Sequence, residues 1–86
     1  MNAQAPYEHR PTAVVYDIFT EASVRLIGEY THRSDQAATD VDRDRWWAKA
    51  MEVRDTKLAV PAHDRGQLIE YIGKWTAEAD RLEAGE

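Results

Sequence analysis

At 86 residues the chain has room for one domain and one hydrophobic core, and 43% apolar with 31% charged residues is a globular balance, not a disordered one. The absence of cysteine excludes disulfides and cysteine-ligated metal centres, and no apolar run approaches the roughly 18–20 residues that span a bilayer. A formal net charge of −5 sets an acidic field around the molecule, which disfavours a polyanionic partner.

Residues 1–11 read as a flexible N-terminal tail. Pro6 and Pro11 bracket it, and it shows neither helical nor strand periodicity. It also lacks the basic-then-apolar order of a secretory signal, so a cytoplasmic protein is expected. Residues 12–86 are expected to form the single helical domain.

Thr12 is the expected N-cap of the first helix, over 12–38. Val15, Ile18, Phe19, Ala22, Leu26 and Tyr30 recur at helical spacing and form one stripe, with Val24 and Ile27 widening it. Gly28 costs about 1 kcal/mol relative to alanine in a helix interior, and a close neighbouring helix or a slight bend would account for it. Asp17, Glu21, Arg25, Glu29 and Arg33 step by fours down another face. Their acid-before-base order reads as a solvated surface of local ion pairs.

From Arg33 to Asp40 only Ala37 and Ala38 are apolar, so a break is expected near Thr39. Thr39 and Asp40 are good caps, and Asp42 with Asp44 suits the first turn of a second helix, over 40–59. The alternative is a helical hairpin of one long helix, 13–59, and one short. In the second helix Trp46 and Trp47 are adjacent, so they project about 100° apart. Trp47, Met51 and Leu58 mark one face; Trp46, Ala50 and Val53 mark another. This pattern suits a helix packed on two sides. Pro61 ends it, because the residue before proline avoids helical geometry.

Asp64, with Gln67 three residues on, makes a capping box for the third helix, over 64–83. Leu68, Ile72, Trp75, Ala79 and Leu82 form a clean seam at steps of four, three, four and three. Gly85 marks its end. The expected fold is all-α, a three-helix bundle running up-down-up. Its core is Val15, Ile18, Phe19, Ala22, Leu26, Trp47, Ala50, Met51, Leu58, Leu68, Ile72, Trp75 and Leu82.

Chemistry-bearing patterns are few. Glu29-x-x-His32 has the spacing of a carboxylate–histidine pair from a di-iron bundle, but it occurs once where such sites need two copies plus further glutamates. No metal, cofactor or catalytic residue is expected. The two serines lie in a helical segment outside any nucleophile elbow, and the four glycines are isolated. Arg43, Arg45 and Lys49 beside the two tryptophans resemble the basic and aromatic mixture of single-strand binders. However, residues 39–59 hold five acids against five bases, and residues 60–86 hold six against three. Nucleic-acid binding through this middle helix is therefore the alternative reading. The preferred one is a non-catalytic protein-interaction or accessory module, engaging a protein partner or a second copy of itself. Three tryptophans and four tyrosines exceed what a minimal core needs, and such residues dominate binding hot spots. Trp46, Trp47, Tyr71 and Tyr30 are the candidate partner-binding residues. Burial of both tryptophans between helices is the simpler arrangement; burial of only one leaves the other on the surface.

The run Arg45-Trp46-Trp47-Ala48, then Val53-Arg54-Asp55, then the Val60–Asp64 turn leading to Leu68, Ile69 and Trp75, resembles small helical proteins encoded on actinobacterial chromosomes, plasmids and phages. The resemblance covers under half the chain. That group has no assigned activity, so it implies only a cytosolic helical protein, of the accessory kind common on mobile elements.

Overall fold

The structure, a computed structural model, describes residues 6–85. It contains a 3-10 turn, Pro6–His9, and three helices: α1 (Thr12–Gln36), α2 (Asp40–Ala59) and α3 (Arg65–Glu83). The all-α, up-down-up bundle anticipated from periodicity is what forms, and the long-helix alternative is excluded by the break after Gln36. Of the segment read as a tail, the 3-10 turn packs on α1 and Tyr7 lies against the core; residues 1–5 fall outside the described residues.

The α1–α2 break follows from local hydrogen bonding. Ala37 is extended, and its N–H donates to the Ser34 carbonyl. Thr39 is also extended, and its side-chain oxygen accepts from the Asp42 N–H at 3.1 Å. This satisfies one of the amides that a helix start leaves without a partner. Ser34 Oγ donates to the Arg43 carbonyl at 3.0 Å and pins the corner. At α3, Asp64 accepts from both the backbone and the side chain of Gln67, at 3.2 and 2.7 Å. The first cap differs from expectation by one residue. Pro11 takes that place, its carbonyl accepting from Val14 and Val15, while Thr12 Oγ1 accepts instead from Arg65 of α3 at 3.3 Å.

Helix α1 is central. Helix α2 packs antiparallel along one side of it, Ser34 meeting Arg43 and Tyr16 meeting Lys57. Helix α3 packs parallel along the other, Thr12 meeting Arg65 and Arg25 meeting Asp80, while α2 and α3 approach each other far less closely. The two-sided helix is thus α1, not α2. Its Val15, Phe19, Ala22, Leu26 and Tyr30 are all buried. Phe19 stacks on Trp75 at 5.1 Å between centroids, and the Tyr71 ring lies 5.2 Å from that of Trp75, in the offset geometries aromatic rings prefer.

Two members of the expected core are on the surface. Trp47 is 50% and Leu58 72% exposed. With α1 on one side only, α2 buries the stripe of Ala50 and Val53, on which Trp46 is half-buried. The stripe about 100° around the helix has no helix to meet. Ile18 and Met51 are half-buried against the core rather than inside it, and Tyr30, Val53, Val60 and Ala79 complete it.

Two further expectations change for the same reason. A Cβ at Gly28 would meet nothing within 4 Å, so no helix approaches there. The charged face of α1 is not wholly solvated either. Arg25 reaches α3, donating to Glu83 at 2.7 and 2.9 Å and to Asp80 at 2.6 Å. Arg33 donates to the Leu82 carbonyl at 2.8 Å and covers the Trp46 ring. Both arginines serve the α1–α3 joint rather than local pairs with Glu21 and Glu29.

Candidate functional site

The four candidate partner-binding aromatics do not form one patch. Tyr30 is 6% exposed, its ring 5.9 Å from that of Trp46 and its hydroxyl donating to Glu78 Oε2 at 2.7 Å. Burial, reinforced by the Glu78 carboxylate, raises the Tyr30 phenol well above its ordinary value. Glu78 is held below the usual carboxylate range by Arg81 first and then by the Tyr30 hydroxyl. Tyr71 is half-buried, with Lys74 5.4 Å above its ring. Trp46 is tucked between Tyr30 and Arg33. Of the tryptophan pair, Trp46 is therefore packed and Trp47 is left at the surface.

Two surfaces result. The first is a groove of about 400 Å³ between α2 and α3. Leu26 and Tyr30 of α1 form its floor, Val53 and Trp75 its inner walls, and Lys49, Glu52, Lys74 and Glu78 its rim. Its most apolar groups are already buried in the core, and its rim is charge-balanced. The second surface is the outer face of α2, turned away from α3. Here Trp47, Met51 and Leu58 recur at steps of four and seven, a single helical stripe interrupted by Arg54. Val41 and, on α1, Val24 are the other large exposed apolar side chains among the described residues.

No family model, curated protein or solved structure matches this chain.

The basic residues of the nucleic-acid reading are dispersed. Arg43 pairs with Asp40 at 2.6 Å and Arg45 with Asp42 at 3.7 Å, and Lys49 sits 5.9 Å over the Tyr30 ring on the groove side. At about 100° per residue Arg43 and Arg45 point to nearly opposite faces. Glu29 is half-buried and His32, one helical turn on, is exposed, and neither gathers a further ligand. Among the described residues no group of three or more His, Asp or Glu side chains could hold a metal ion, and no helix is long and apolar enough to cross a membrane.

Proposed function

We propose that the protein is a small non-catalytic interaction module whose binding face is the outer side of α2, centred on Trp47. The observation that carries this reading is the half-exposed Trp47 indole on one stripe with the largely exposed Leu58 and the half-buried Met51, on a helix that makes its main core contacts through Ala50 and Val53, about 100° around. The exposed half of the indole gains nothing for folding, and tryptophan is among the residues enriched at binding hot spots when a partner covers them. An exposed cluster of this kind marks an interaction surface more readily than it marks a stability device. The dispersed, acid-paired arginines of α2 give less support to nucleic acid as the partner.

The test is a tagged pull-down from nuclease-treated lysate, run with wild type and Trp47→Ala. A stoichiometric protein, or an untagged second copy of the chain, retained by wild type and lost by the variant supports the reading. Recovery of nucleic acid in an untreated control, with no protein surviving nuclease, overturns it.

A further inference from the structure

We infer that the occupant of the Trp47 face is a second copy of this chain, docked with the two α2 helices side by side and parallel; the inference rests on the reading of that face as a binding surface. The argument is one of charge. At about 100° per residue, the stripe Trp47–Met51–Leu58 has Arg43 and Arg54 along the edge nearer α1 and Asp44 and Asp55 along the opposite edge. All four are exposed. One flank is basic, the other acidic, and the same two signs recur about three helical turns along the axis.

Two copies of a helix can face each other in two symmetric ways. With a two-fold axis perpendicular to the helices they run antiparallel and like flanks meet, basic against basic and acidic against acidic. With the axis along the helices they run parallel and opposite flanks meet, as in a two-stranded coiled coil. Arg54 and Arg43, which pair within their own chain with Asp55 at 3.1 Å and with Asp40, at the N-terminal head of the stripe, at 2.6 Å, then also face the acidic flank of the second copy, near its Asp55 and Asp44. The apolar stripe stacks on itself, Trp47 on Trp47 and Leu58 on Leu58. Helix α1 lies well around α2 from this stripe, so neither copy's α1 stands between the two faces. Charge pairing of this kind selects orientation and partner more than it adds affinity.

The chain's lack of cysteine makes the test clean. Leu58→Cys places one thiol at the C-terminal end of the exposed stripe. In a parallel pair the two introduced thiols meet; in an antiparallel pair they lie near opposite ends of the contact. The full chain is measured by light scattering over a concentration series, and Leu58→Cys is oxidised under mild conditions. The expected results are a concentration-dependent mass of two chains, a disulfide-linked dimer of Leu58→Cys, and a dimer dissociation constant weakened about thirtyfold in Trp47→Ala. Circular dichroism should show that variant still folded. A dimer that forms no such disulfide, or that persists undiminished in Trp47→Ala, overturns the inference. So does a chain that stays monomeric at millimolar concentration. If that monomer still captures a different protein through Trp47, only the choice of occupant fails. If it captures nothing, the interaction reading fails with it.

Discussion

Replacing Trp75 by alanine tests the packing of α3 on α1. Trp75 is 7% exposed, stacked on Phe19 and touched by Tyr71. Truncation to alanine removes about 150 Å² of buried apolar surface, worth about 4 kcal/mol at 25 cal/mol per Å². The lost ring contacts add about 0.5–1.5 kcal/mol, in line with about 3–5 kcal/mol for such truncations generally. A domain of this length has only about 4–12 kcal/mol of stability to lose. The variant should therefore melt about 15–35 °C lower, or be unfolded at room temperature. The assay is urea and thermal unfolding followed by far-ultraviolet circular dichroism, with Trp75→Phe as a control of intermediate stability. A Trp75→Ala variant that unfolds cooperatively with a loss below about 1.5 kcal/mol would refute the placement of Trp75 at the α1–α3 joint.

Gly28→Ala should stabilise the fold by up to about 1 kcal/mol in urea titration, because a Cβ there meets nothing and alanine is the better helix former. Stability should also fall at both pH extremes. Glu83, held down by Arg25, and Glu78, held down by Arg81 and Tyr30, contribute fully above the ordinary carboxylate range, and their contribution is lost as pH falls through their lower folded values. Tyr30, raised by burial and by Glu78, contributes below about pH 10 and loses that contribution as pH rises further. Melting temperature against pH reads both limbs, and Tyr30→Phe should flatten the alkaline one.

The elements legible from sequence are those fixed by local chemistry. Thr39 and Asp64 carry side-chain oxygens that only a helix start uses so well, and Leu68, Ile72, Trp75, Ala79 and Leu82 form a stripe with no competitor. Helix α2 is harder because it offers two stripes, one with Trp46, Ala50 and Val53 and one with Trp47, Met51 and Leu58. Which of them is buried depends on where α1 lies, and spacing along α2 carries no record of that. Arg25 and Arg33 mislead for a related reason. Each has a glutamate four residues earlier, a sufficient local partner, so nothing in the sequence directs them to Asp80, Glu83 and the Leu82 carbonyl across the joint. The candidate face is half legible: the adjacent tryptophans show that one stripe is in excess, and only the packing shows that the excess one holds Trp47.

The central position of α1 has a consequence for how the molecule comes apart. Because α2 and α3 each lean on α1 and scarcely on one another, either can detach while the other stays docked, whereas α1 cannot leave without dissolving both contacts. Amide hydrogens around Phe19 to Leu26 should therefore exchange only through complete unfolding, while those of α2 and α3 exchange faster, through partial openings that leave the other pair of helices intact.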